Sequence, residues 1–130
     1  MDRIDEIMKN YPELKVDLLD MGNELGGYIY RNHIMLNKNM SEKELIPILY
    51  EEIGHYKTTV GDISKYSTTA DRQQEHRARV WGITHFISKK DIERFKKCKY
   101  DNDYEVADEL GITVPYLHEV GEVYQAHPYL

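Results

Sequence analysis

Residues 50–59, which read YEEIGHYKTT, contain two glutamates and a histidine at a spacing that can serve metal chemistry. On a helix, positions four apart lie one turn apart on the same face, so Glu51 and His55 can hold one ion. Glu52, one step around the helix, would point towards a water bound to that ion. This is the geometry of the zinc motif H-E-x-x-H, with a glutamate at the first histidine position. Because Glu and His four apart also occur by chance on solvated helices, an ordinary acidic helix remains an alternative.

Gly54 favours the metal-site interpretation. Glycine in a helix interior costs about 1 kcal/mol relative to alanine, so its presence suggests that another segment approaches closely there. A second predicted helix offers a partner, because Glu75, Ala78 and Gly82 share one face that places a carboxylate above small residues. A catalytic zinc takes three protein ligands and keeps one position open. The residues that would supply these ligands are Glu51, His55 and Glu75.

The helix that carries the motif has a clear predicted beginning. Ser41 is a candidate N-cap, and Glu44, three residues later, completes a capping box. Pro47 allows two alternatives: the helix bends there, or the main helix begins at Pro47 as its first residue. In both alternatives residues 48–57 are helical.

The rest of the chain predicts a mainly helical α+β fold with a small sheet. Tyr28-Ile29-Tyr30 and Ile34-Met35-Leu36, on either side of a polar Arg31-Asn32-His33, predict a β-hairpin. This hairpin is a candidate edge for a substrate strand, although its apolar side chains could simply cover the core. Further helices are predicted at 2–10, 71–87 and 90–97, with two short tail helices separated by Gly111-Ile112-Thr113.

Composition limits the classes of function. The 130 residues predict one domain, with a core at about residues 1–98 and C-terminal helices at about 101–125 packed on it. The net charge of −6 argues against general attraction to nucleic acid. Cys98 is the only cysteine, so any metal must be held by His, Asp and Glu. With no signal peptide and no long apolar run, the cytoplasm is the expected location.

The motifs together resemble a known family. E-E-[IL]-G-H-Y, followed by a second helix reading Q-E-x-x-A-R-x-W, is similar to the phage and mobile-element branch of the ImmA/IrrE zinc metallopeptidases. In that family the first histidine of the motif is often replaced by glutamate. The resemblance implies a minimal zincin-like domain with Glu51, His55 and Glu75 as metal ligands and Glu52 as general base towards a metal-activated water. It also implies a protein substrate, namely a helix-turn-helix repressor cleaved at one site.

The glutamate at position 51 has a chemical consequence. Relative to a His2Glu site, it adds a negative charge to the ligands, so that they cancel the charge of a divalent ion. The predicted result is a less acidic bound water and a weaker Lewis acid. Zinc is the expected ion, and harder ions such as Mn²⁺ should compete better than usual.

Two rival functions remain open at this stage. The tail, VADELGITVPYLHEVGEVY, has the pattern of two short helices joined by a turn, as in a helix-turn-helix, and could bind DNA or a protein. Residues 101–124 contain acidic residues but no lysine or arginine. Their negative charge would repel phosphate groups, so a protein partner is favoured over DNA. The second rival is a catalytically inactive family member that binds the repressor, or another partner, as an antirepressor.

Overall fold

The computed structural model describes residues 2–23, 25–58, 69–97 and 102–127, and these form six helices and a three-stranded sheet. The helices are α1 Arg3–Met8, α2 Glu42–Thr58, α3 Thr69–Phe86, α4 Lys89–Lys97, α5 Asp103–Leu110 and α6 Val114–Ala126. The strands are β1 Lys15–Leu19, β2 Gly27–Tyr30 and β3 His33–Asn37. The predicted α+β class is therefore confirmed. The polar connection before α3 and the single cysteine, Cys98, lie outside the described ranges.

The sheet has the order β1-β3-β2. The predicted hairpin is confirmed, because β2 pairs antiparallel with β3. β1 was not predicted, and it pairs parallel with the other side of β3. β3 is therefore the central strand, with Ile34 and Leu36 fully buried, and β2 is an edge strand among the described residues.

α2 begins with the predicted capping box. The Ser41 backbone N–H lies 3.4 Å from the Glu44 carboxylate, and the Glu44 N–H lies 3.4 Å from the Ser41 hydroxyl. The helix runs without interruption from Glu42 through Pro47 to Thr58. The alternative in which the main helix begins at Pro47 is therefore wrong, whereas the predicted helical conformation of residues 48–57 is confirmed.

α2 and α3 pack against each other through glycines. A Cβ added to Gly54 would overlap the carbonyl oxygen of Ala78, and one added to Gly82 would lie 2.9 Å from the carbonyl oxygen of Tyr50. The close approach inferred from Gly54 and from the small residues of α3 is thus confirmed. It fixes the register of the two helices and hence the relative positions of their polar side chains.

The buried apolar residues form two clusters. The first joins α1, the sheet and α2, and Trp81 of α3 packs against it. The second joins the end of α3 to α5 and α6, and Phe86 packs against both clusters. Gly111, with φ of 72°, ends α5 in the left-handed conformation, so the predicted break between the tail helices is confirmed. Among the described residues, no helix has both the length and the apolar character needed to cross a membrane.

Candidate metal centre

The structure brings two of the three predicted ligands together. His55 Nε2 of α2 lies 3.3 Å from Glu75 Oε2 of α3. The His55 side chain is almost completely buried, while about half of Glu75 is exposed to solvent. A buried imidazole facing a carboxylate supplies the nitrogen and oxygen donors that zinc accepts.

The third predicted ligand has a different partner. Arg79, one helical turn after Glu75 on α3, donates a hydrogen bond from Nε to Glu51 Oε1 at 3.1 Å. As the described side chains stand, no three His, Cys, Asp or Glu groups are gathered closely enough to hold an ion. In this arrangement the carboxylate of Glu51 is engaged by Arg79 and does not complete the site.

The four residues predicted to do chemistry nevertheless line one cleft. Its volume is about 390 Å³. The side of the cleft opposite the helices is formed by β2. The lining residues are Gly27, Tyr28, Ile29, Glu51, Glu52, His55 and Glu75.

Glu52 is the most buried carboxylate of this cleft, with only 8% of the residue exposed. Burial, together with the negative charges of Glu51 and Glu75, raises the pKa of Glu52 to about 8. In the metal-free chain at neutral pH the carboxyl group is therefore largely protonated. A cation bound in the cleft would oppose this effect, because it favours the charged form of a nearby acid.

The β2 edge presents backbone groups at the same cleft. Gly26 accepts a hydrogen bond from the N–H of Asn37, and the register pairs Tyr28 with Met35. Hydrogen-bonded pairs alternate along an antiparallel ladder, so the N–H and C=O groups of Gly27 and Ile29 point away from β3. These are the groups that could pair with an added strand.

A second, smaller cavity lies on the other side of Glu51. It has a volume of about 130 Å³ and is closed on one side by α6. Its polar lining residues are Glu51, Arg79, Tyr116 and Glu119. Burial raises the pKa of Tyr116, and the charges of Glu119 and Glu51 add to this effect. Sequence reasoning missed Arg79, although its position four residues after Glu75 mirrors the spacing of Glu51 and His55.

The donor set suits a divalent ion in its chemistry. Imidazole nitrogen and carboxylate oxygen are both zinc donors, and a position facing the cleft would be left for water. All three predicted donors lie on helices whose register is fixed by backbone contacts at Gly54 and Gly82. Glu51 is the predicted donor that contacts a different partner, and the chemistry and common cleft of the three residues make them a fit for such an ion.

Comparisons of the chain with models of known protein families, with curated proteins and with solved structures found no match. Functional assignment therefore depends on the chemistry of the cleft and on the motifs that form it.

Proposed function

We propose that this chain is a metal-dependent, site-specific peptidase with a minimal zincin-like domain, similar to the phage and mobile-element branch of the ImmA/IrrE family. The observation that carries the proposal is the meeting of His55 and Glu75 at 3.3 Å in a cleft that Glu51 and Glu52 also line. The proposed ion is Zn²⁺, with Mn²⁺ as the main competitor, and the proposed ligands are Glu51, His55 and Glu75.

The chain contributes the remaining parts of the reaction. A bound divalent ion supplies Lewis acidity to a water molecule and to a peptide carbonyl oxygen. Glu52 takes the proton of the attacking water as general base and then donates it to the leaving amine.

The β2 edge supports a peptide substrate in particular. An extended segment that pairs with the outward N–H and C=O groups of Gly27 and Ile29 would lie along the cleft that contains Glu52. Cleavage would then require an extended or locally unfolded stretch of the target. The resemblance favours a helix-turn-helix repressor as that target.

The experiment that tests this function is co-expression with a helix-turn-helix repressor encoded beside the gene. The wild-type chain should yield a cleaved repressor, and Glu52→Gln should leave it intact. Glu93→Gln, at an exposed position of α4, is the matched control and should cleave like the wild type. Cleavage that persists in Glu52→Gln would remove Glu52 from its role, and an intact repressor with the zinc-loaded wild type would argue against peptidase activity.

The second candidate function is repressor binding without cleavage. It is favoured by the engagement of Glu51 with Arg79 and by α5 and α6, which present acidic side chains without a lysine or arginine. Such a surface suits the basic face of a DNA-binding partner. In the co-expression experiment, this function predicts that intact repressor copurifies equally with the wild type and with Glu52→Gln.

A further inference from the structure

Two polar side-chain pairs connect the facing sides of α2 and α3. One pair is His55 with Glu75, and the other is Glu51 with Arg79. Both pairs follow from antiparallel helices in a single register. Glu51 and His55 lie four residues apart on α2, and their partners Arg79 and Glu75 lie four residues apart on α3. The backbone contacts at the two glycines prevent that register from sliding.

Glu51 lies at the boundary between two cavities. It lines the cleft that contains His55 and Glu75, and it also lines the smaller cavity that contains Arg79. Its side chain is 27% exposed. Since the backbone at position 51 is packed against Gly82, movement of the carboxylate between the cavities would be a side-chain rotation.

A second carboxylate is available to Arg79 if the Glu51 side chain turns away from it. Glu119 of α6 lines the same small cavity. Partial burial lowers the pKa of Arg79. The hydrogen bond and charge of Glu51 raise it, as do the charges of Glu119 and Glu75, and the net effect is a raised pKa. Arg79 is therefore a permanent cation among three carboxylates, and its engagement does not depend on pH near neutrality.

We propose that Arg79 competes with the metal ion for the carboxylate of Glu51, so that metal binding requires Glu51 to rotate from Arg79 into the cleft while Arg79 turns to Glu119. The proposal rests on the metal site proposed above. It makes Arg79 a positioning residue that sets metal affinity without being a ligand. Its consequence is a chain that binds the ion more weakly than its donor set would allow.

The test is a double-mutant cycle on metal affinity. Calorimetric titration with Zn²⁺, and separately with Mn²⁺, compares the wild type, Arg79→Gln, Glu51→Gln and the double variant. Removal of a partly exposed ion pair corresponds to about a three- to fivefold change, so Arg79→Gln should bind the ion that much more tightly. Glu51→Gln should bind more weakly, and Arg79→Gln should have no further effect in that background.

Arg77→Gln is the matched control for general electrostatics. It removes the same charge from the same helix, at an exposed side chain two residues away, and should change metal affinity by less than about twofold. Arg79→Lys, which keeps the charge but lacks the guanidinium geometry, should fall between the wild type and Arg79→Gln. Circular dichroism of every variant establishes that the helices are intact.

The outcomes separate this inference from the proposed function. Equal affinities of the wild type and Arg79→Gln, or the same gain when Glu51 is already absent, would overturn the role of Arg79 and leave the metal site standing. If neither the wild type nor Arg79→Gln binds an ion, the metal site and the inference both fail. Metal binding by Arg79→Gln but not by the wild type would support both.

Discussion

At the scale of single residues, the cleft opposes ionisation of Glu52, whereas the proposed general-base role needs the ionised form. The carboxyl group is buried on the inner side of α2, and two further carboxylates face the same cleft. Its pKa of about 8 means that the folded chain holds a proton that the unfolded chain releases near pH 4.5. Folding stability is therefore linked to pH through this one group.

We predict that the metal-free chain loses stability as pH rises from 5 to 8, and that Glu52→Gln loses less. Between the unfolded and folded pKa values the native state binds more protons, so deprotonation favours unfolding. The contribution of Glu52 to the slope is at most about 1.4 kcal/mol per pH unit. The measurement is urea unfolding in the presence of a chelator at each pH.

The control for the pH series is Glu93→Gln, which removes an exposed carboxylate of α4 and should keep the slope of the wild type. Groups that titrate in both proteins cancel in the comparison. Parallel pH profiles for the wild type and Glu52→Gln would contradict the assigned burial effect.

At the scale of elements, the contact between α2 and α3 determines whether the site exists. Gly54 and Gly82 let the two backbones touch, and this contact sets His55 opposite Glu75 and Glu51 opposite Arg79. A shift of either helix by one residue relative to the other would break both polar pairs.

We predict opposite effects for alanine at two helical glycines. Gly54→Ala should lower the free energy of unfolding by about 1–3 kcal/mol, because the added methyl group overlaps the Ala78 carbonyl oxygen and separates the helices. Gly121→Ala, at an exposed position of α6, meets no atom within 4 Å and should raise stability by about 0.5–1 kcal/mol. Chemical denaturation measures both, and a stabilising Gly54→Ala would contradict the close packing.

The sequence predicted those elements whose signals are local. The capping box at Ser41, the hairpin and the tail helices follow from neighbouring residues, and Gly54 indicated a close approach through its energetic cost in a helix. β1 escaped prediction because its five residues contain one β-branched side chain, Val16, and its parallel partner is distant in sequence. Arg79 escaped because its pairing depends on the register between two helices.

β2 gives rise to a prediction about substrate. If a peptide adds to the edge at Gly27 and Ile29, only alternate residues of that peptide direct their N–H groups towards β2. N-methylation along a cleaved peptide should therefore lower kcat/KM about fivefold at every second position and much less between them, since each lost hydrogen bond costs about 1 kcal/mol. A uniform or irregular pattern would argue against strand addition.

At the scale of the whole molecule, the half that contains the candidate metal centre and the C-terminal half are joined at Phe86. Its ring stacks on Tyr50 of the first cluster at 4.8 Å and lies 6.0 Å from the ring of Tyr116 in the second. The guanidinium group of Arg3 lies over the same ring. Phe86 therefore connects α6 to α2 at Tyr50, the residue directly before Glu51.

We predict that Phe86→Ala uncouples the two clusters as well as lowering stability by about 3 kcal/mol. In the wild type, fluorescence of Trp81, which packs on the first cluster, and helical circular dichroism should report one coincident transition. In Phe86→Ala the two transitions should separate, because the second cluster loses its shared aromatic contact. Leu49→Ala, which removes buried surface from the first cluster alone, should be less stable with coincident transitions. Coincident transitions in Phe86→Ala would mean that other contacts couple the halves.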